Sequence, residues 1–215
     1  TQEAIDPVRF ISNHSSGVQG LSLAEVAASA GAQVTLIAGP GVPESSASIE
    51  RHNVVSAADM HAAVHGRLEN IDLFVGVAAV ADYRVAEAAE QKIKKNPSNE
   101  EHLDLRLVEN PDIIASVAAS AHDVVVVGFA AETQDTLNHA RAKRQRKGLH
   151  AIIVNDVSDS SIGFNSPNNA TTFICDHAEV SFERQSKKDM ATKLLQQIAK
   201  TLGEQLTNGK PPHRS

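Results

Sequence analysis

Short, uninterrupted apolar runs recur along this chain, each followed by a segment with helical spacing. Gln33 to Ala38, Asp72 to Ala79, Val124 to Phe129 and Ala151 to Val154 are such runs. Each is too short for a buried helix and reads as a strand covered on both faces. Between them, Leu21 to Ala28, Ala57 to Leu68, Asn110 to Ala121 and Thr133 to Lys147 place apolar residues at helical intervals. Asn110 is read as the cap of its helix with Pro111 at the first position, and Gly31 and Gly148 as helix stops.

Alternation of this kind predicts an α/β fold, a three-layer Rossmann-like, mostly parallel sheet with helices on both faces. Thr171 to Cys175 and Val180 to Glu183 add a C-terminal β-hairpin. Ser186 to Leu206 follows as a long helix with Met190, Leu194, Leu195, Ile198 and Leu202 in phase. Residues 1–206 read as one domain and 207–215 as a flexible tail. Sheets of this type bind ligands beyond the carboxyl ends of their strands.

Composition narrows the function. Aromatic residues make up 3% of the chain and the net charge is −6, so the cationic, base-stacking footprint of a nucleic-acid binder is missing. No apolar run approaches the roughly 20 residues that span a bilayer. The single cysteine, Cys175, excludes an internal disulfide and reads as packed, in keeping with a reducing cytoplasm.

Several segments carry chemistry. Asn13-His14-Ser15-Ser16-Gly17-Val18-Gln19-Gly20 opens a helix, and its main-chain N–H groups suit a phosphate; an ordinary Ser/Gly helix cap explains the same residues. It is not a G-x-G-x-x-G, and the second strand ends Ile37-Ala38-Gly39-Pro40 without the acid that holds a ribose. An NAD(P)-dependent oxidoreductase, the competing class, is therefore disfavoured. Arg141, Lys143, Arg144, Arg146 and Lys147 crowd one helix, either as a solvated face or, through Lys143 and Lys147 on one side, as a polyphosphate clamp. Asp82 lies just past a strand. Lys92 sits in the charged stretch Ala86 to Glu101, read as an excursion over a site. His61 and His65 are four apart on a helix, but Ala62 stands where the H-E-x-x-H metalloprotease pattern has Glu, and both read as surface residues. No nucleophile is evident, so the chemistry is that of positioning and charge stabilisation.

Six motifs then make the reading specific. Asp6-Pro7-Val8-Arg9-Phe10-Ile11-Ser12-Asn13-His14-Ser15-Ser16-Gly17, Ala78-Ala79-Val80-Ala81-Asp82-Tyr83, Lys92-Ile93-Lys94-Lys95, Asn110-Pro111-Asp112-Ile113, Gly128-Phe129-Ala130-Ala131-Glu132-Thr133, and Asn155-Asp156-Val157 with Gly163-Phe164-Asn165 resemble, in order, those of phosphopantothenoylcysteine synthetases. The resemblance is to the synthetase half of the bacterial bifunctional protein, whose other half is a flavin-dependent decarboxylase. It implies ligation of cysteine to 4′-phosphopantothenate through an acyl-cytidylate, with CTP as co-substrate, Mg2+ alongside the triphosphate, and a homodimer. It also implies a central strand ahead of the residue matching Thr1, which this sequence does not contain. By motif match, Asn13 and Lys92 are the catalytic contacts. Arg9, Asn13 and Ala79 meet the pantothenate substrate. Gly17, Gly76, Val77, Ala78, Asp82, Lys92, Asn110, Pro111, Asp112, Ile113, Ile114, Phe129, Lys143 and Lys147 meet the nucleotide. The resemblance leaves the metal ligands unassigned.

Overall fold

The computed structural model describes residues 1–45, 47–94, 102–120, 122–132, 135–156, 166 and 168–208. Lys95, Thr133, Val157, the Gly163-Phe164-Asn165 motif and residues 209–215 of the tail lie outside the described residues.

Among the described residues, β5 (Leu73–Gly76), β8 (Val125–Glu132), β9 (Ala151–Asp156), β10 (Asn168–Cys175) and β11 (Glu179–Ser186) form one sheet in the order β11-β10-β9-β8-β5. β5 pairs parallel with β8, and β8 parallel with β9. β10 runs antiparallel to both β9 and β11. The sheet is therefore mixed, with β10 alone running against the other four strands. The hairpin expected near the C-terminus is present, and it joins the main sheet because Phe173 and Ile174 are buried on opposite faces like their β9 neighbours. A tight hairpin reverses chain direction, so a strand added through it is antiparallel.

Two apolar clusters show helices on both faces of this sheet. On one side Val126, Ile152 and Val154 meet α2 (Ala57–His65), α3 (Ile113–Ala118) and α4 (Thr136–Lys147). On the other, Val125, Val127 and Ile153 meet α1 (Val18–Ser29) and α5 (Lys187–Asn208). The alternation of Val125, Val126 and Val127 between faces is the two-residue period of a strand. Met190, Leu194, Ile198 and Leu202 are at most 1% exposed along α5; burying side chains of that size contributes about 1.5–3 kcal/mol each.

Three small two-stranded units flank the sheet. β3 (Thr35–Ala38) and β4 (Glu50–Asn53) are parallel. β1 (Gln2–Ala4) with β2 (Phe10–Ser12), and β6 (Tyr83–Val85) with β7 (Leu107–Glu109), are antiparallel. β2 falls in a segment whose polarity predicts a loop.

The helices carry local signals. α2 starts with a capping box, Ser56 and Asp59 each bonding the other's backbone N–H. It ends at His65, earlier than expected, and a 3-10 turn over Leu68–Asn70 follows. α3 is capped by Asp112, whose Oδ1 accepts from Ala115 N–H at 3.2 Å, not by Asn110. α4 closes on Gly148 at φ 66°. No described helix is long and apolar enough to cross a membrane.

Candidate active site

The loop after β2 turns into α1 at Gly17, which holds φ 67°. A side chain there would be strained by the left-handed backbone and would meet Val42 Cγ2 at 2.5 Å. The hollow beside this turn is lined by Asn13, Ser15, Gly17, Gly39, Ala78 and Ala79. Two motifs far apart in sequence thus share one cavity. The Asn13 amide is aimed by a hydrogen bond from Nδ2 to Val80 O at 3.0 Å.

The carboxyl end of β5 leads into Val77, which sits under the absent side chain of Gly20. Gly76 lies opposite Gly128 in register. A Cβ on either would stand 3.0 Å from Ile114 Cδ1, so the bare pair lets α3 settle onto the sheet. Ile113 is buried and Ile114 packs against the same cluster. Their side chains serve the core, which leaves only main-chain groups for a ligand. Asn110 is tied twice to the next segment: its N–H donates to Asp82 O and its Nδ2 to Ala81 O, both at 2.8 Å. Asp82, Asn110, Pro111 and Asp112 are therefore brought together. Phe129, one residue beyond Gly128, packs instead against the α1–α5 cluster.

The cationic run of α4 is largely paired. Arg141 bonds Glu179 at 2.7 Å. Arg144 is buried, bonds Leu149 O at 3.2 Å and pairs with Asp176. Lys147 pairs with Asp112 at 2.7 Å. Burial pushes the Asp112 carboxyl up, but the Lys147 ammonium, the Ala115 N–H and the charges of Lys147 and Lys143 outweigh it and hold it below the usual range. Lys143 and Lys147 thus converge on the start of α3.

Asp6 is a site residue that sequence reasoning did not single out. Its Oδ1 accepts from Val8 N–H at 2.8 Å and Arg9 N–H at 2.9 Å. Its Oδ2 takes the Arg9 guanidinium, with Nε at 2.9 Å, and the Ile93 N–H at 3.2 Å. Arg9 Nη2 also donates to Ile93 O at 3.0 Å. Lys92 is exposed beside this anchor. An Asp followed by a Pro-containing turn was the available signal. His65 is half-buried, stacked on His61 with centroids 4.2 Å apart and bonded to Ser116 Oγ at 2.8 Å; it joins α2 to α3 and is more than a surface histidine. Cys175 is buried, as read.

Residues 1–202 match the family model described as the DNA/pantothenate metabolism flavoprotein C-terminal domain. The chain is 45% identical over 199 residues to the Coenzyme A biosynthesis bifunctional protein CoaBC of Vibrio parahaemolyticus, covering 92% of this chain and 50% of the relative. It is 44% identical to the protein of that name from Escherichia coli strain K12, with coverage of 92% and 49%. The chain spans about half the length of these curated relatives. A crystal structure of the C-terminal domain of Coenzyme A biosynthesis bifunctional protein CoaBC superposes with a TM-score of 0.78 at 31% identity, covering 95% of this chain and 92% of that one.

Proposed function

The chain belongs to the family of the DNA/pantothenate metabolism flavoprotein C-terminal domain, and from that premise we propose that it joins cysteine to 4′-phosphopantothenate at the expense of CTP, as the synthetase unit, residues 1–206, of a coenzyme A biosynthesis protein fused to a decarboxylase. The observation that carries the proposal is the shared hollow of Asn13, Gly17, Ala78 and Ala79. It sets a glycine-rich helix start beside the end of a parallel strand, the arrangement that receives phosphate.

The substrate carboxylate attacks the α-phosphorus of CTP, forming the acyl-cytidylate and releasing pyrophosphate. The cysteine amine then displaces CMP and forms the amide. Negative charge gathers on the phosphoryl oxygens in the first step, and fixed N–H groups and ammoniums stabilise it most. Lys92, Lys143 and Lys147 are the ammoniums proposed to do this, and Lys147 can leave Asp112 for the triphosphate. Asn13 is proposed to hold the acyl-cytidylate. Arg9, already engaged by Asp6, keeps a guanidinium edge near the pantothenate end.

Among the described residues no group of three or more His, Cys, Asp or Glu side chains forms a cage. Asp82 or Asp112 would be the carboxylate that holds a magnesium ion accompanying the nucleotide. When bound it would neutralise triphosphate charge.

Val8, Phe10, Val55, Tyr83, Leu103 and Leu107 are large apolar side chains left exposed, and Val8, Phe10, Tyr83 and Leu107 lie on or beside the small hairpins. They support a homodimer formed through this surface. A cytoplasmic location is consistent with the buried, unpaired Cys175.

The test is pyrophosphate release by the chain with phosphopantothenate, comparing CTP, ATP and no nucleotide, with and without cysteine. CTP-dependent release without cysteine, and amide formation only with it, is the expected result. Release that needs no phosphopantothenate, or none with any nucleotide, overturns the proposal.

A further inference from the structure

β3 and β4 run parallel, with Leu36 opposite Arg51, so the chain between them must cross back along the pair. Such a crossover is usually a helix. Here residues 39–49 carry no helix among the described residues, and their main-chain carbonyls need donors from elsewhere. Arg51 supplies them. Its Nη2 donates to Val42 O at 2.8 Å and its Nη1 to Pro43 O at 2.6 Å. Its Nε donates to Asn53 Oδ1 at 2.8 Å, which fixes the plane of the guanidinium from within β4. The Glu44 carboxylate stands 3.8 Å from Nη1, but its side chain is 84% exposed against 15% for Arg51, and a pair so open to water contributes little. The fork on two successive carbonyls is the contact that holds the loop.

What the fork holds is a wall of the hollow. Gly39, Pro40 and Val42 line that cavity together with Asn13, Ser15 and Gly17. Val42 is the residue that stands against the turn: a Cβ built on Gly17 would meet three of its side-chain atoms within 3.3 Å. Farther along the loop, Ser45 Oγ donates to Glu25 Oε1 at 2.9 Å, which ties it to α1. The loop is thus clasped between β4 and α1, with Val42 pressed on the glycine that opens α1. Neither Arg51 nor Val42 belongs to any of the six motifs.

We infer that Arg51 is a positioning residue: through the Val42 and Pro43 carbonyls it seats the Val42 side chain against Gly17, and so aims the N–H groups of the first turn of α1 at a phosphate group of the substrate. Its guanidinium is spent on protein groups, so its effect passes through Val42. A lysine could not replace it, because a single ammonium lacks the planar fork that takes two carbonyls and Asn53 at once. The inference rests on the ligase reading, which brings phosphorylated substrates to this turn.

The experiment measures kcat and the KM for CTP, phosphopantothenate and cysteine in amide formation by the 215-residue chain and its variants. Arg51→Met keeps the stem and removes the fork. Arg51→Lys keeps the charge and loses the fork. Val42→Ala withdraws the wall, and Glu44→Gln removes only the exposed ion pair. In Arg51→Met, Arg51→Lys and Val42→Ala, KM for at least one phosphorylated substrate is expected to rise about 10-fold, the scale of one hydrogen bond, with KM for cysteine at the parent value. Glu44→Gln should match the parent throughout. Arg51→Met combined with Val42→Ala should be little worse than Arg51→Met alone, since both act through one contact. Should Arg51→Met fail to fold, Arg51→Lys and Val42→Ala carry the same test. Lost stability with every KM at the parent value, Arg51→Lys behaving like the parent, or KM for cysteine rising as much as the others overturns the role of Arg51 while leaving the ligase reading intact. A parent chain that releases no pyrophosphate with any nucleotide overturns both.

Discussion

Asp6 and Ile93 lie 87 residues apart in the chain and meet through one hydrogen bond, the Ile93 N–H donating to Asp6 Oδ2 at 3.2 Å. That oxygen also holds the Arg9 guanidinium, which returns a bond to Ile93 O. One carboxylate therefore joins the pantothenate-end arginine to the residue next to Lys92. A lysine in a charged excursion would otherwise sample many positions. Here its neighbour is tied at both N–H and C=O.

Asp6→Ala is expected to cut both ties. Limited proteolysis over residues 86–94 should speed up, because local opening there loses its cost. The nucleotide-dependent half-reaction should fall toward that of Lys92→Ala, itself expected to be depressed about 10²-fold, the scale of one lost charge-stabilising donor. The double variant should be scarcely slower than Lys92→Ala, since the two act through one position. Independent, additive losses would show that Asp6 does not act through Lys92.

The same carboxylate sets an acid limit. The Arg9 guanidinium outweighs burial and, helped by the N–H groups of Val8, Ile93 and Arg9, holds Asp6 well below the ordinary carboxylate range. Its pKa is thus lower folded than unfolded. The stability it contributes is present above the unfolded value, 3.8, and is lost as pH falls below it through the folded value. Thermal melts of the parent and of Asp6→Asn should differ most at neutral pH and converge as the medium is acidified below about pH 4. A gap that stays constant down to pH 2 would mean that the charge contributes nothing.

How much of this was legible in the sequence depends on how local each interaction is. The runs at Val125 to Val127 and Ala151 to Val154 declared buried strands, and the stripe Met190, Leu194, Ile198, Leu202 declared α5. The mixed sense of the sheet was not read, although both hairpin strands were, because nothing local says which edge a hairpin joins. Three-residue strands such as β1, β2 and β6 are held by partners far along the chain and leave no periodic trace. Asn110 looked like a helix cap, but Pro111 disfavours helical backbone before it and Ala81 O draws its amide away, so the helix begins at Asp112. The pairing of Lys147 with Asp112 is tertiary and was invisible. The motif residues themselves were legible, because a hollow built from loop ends depends on residue identity at fixed positions.

Asn13→Ala should separate the two half-reactions. The hydrogen bond to Val80 O aims the amide at the hollow it shares with Ala78 and Ala79, where the activated acyl group is proposed to sit. Pyrophosphate release in a first turnover should persist, acyl-cytidylate should accumulate, and amide formation should slow by about 10²-fold. Quench-flow with product separation reads all three. Amide formed at the parent rate would remove Asn13 from this role.

Gly17→Ala tests the turn itself. The substitution places a Cβ 2.5 Å from Val42 Cγ2 on a backbone at φ 67°. Left-handed backbone costs an alanine about 1–2 kcal/mol, and overpacking commonly adds about 1–3 kcal/mol. Urea unfolding should show a loss within that combined range at unchanged m-value, with KM for both phosphorylated substrates raised. Unaltered stability would mean that the turn adopts another shape.

Lys147 poses the last question, because its ion pair with Asp112 at 2.7 Å is both a structural tie and a store for a triphosphate contact. As a tie alone, a half-exposed pair is worth little, and Lys147→Ala, Asp112→Asn and the double variant should have nearly the same stability. As a nucleotide contact, the lysine must exchange its carboxylate for phosphate. Lys147→Ala should then raise KM for CTP about 10-fold or more, and Asp112→Asn, which frees the ammonium but keeps the Ala115 cap, should lower it or leave it unchanged. Lys143→Ala should raise it too, since Lys143 bears on the same carboxylate. The two lysine effects should fade together as salt rises, since screening weakens both contacts with the triphosphate. If KM stays flat in Lys147→Ala and Lys143→Ala while Asp112→Asn unfolds the start of α3, the lysines hold the helix and not the nucleotide.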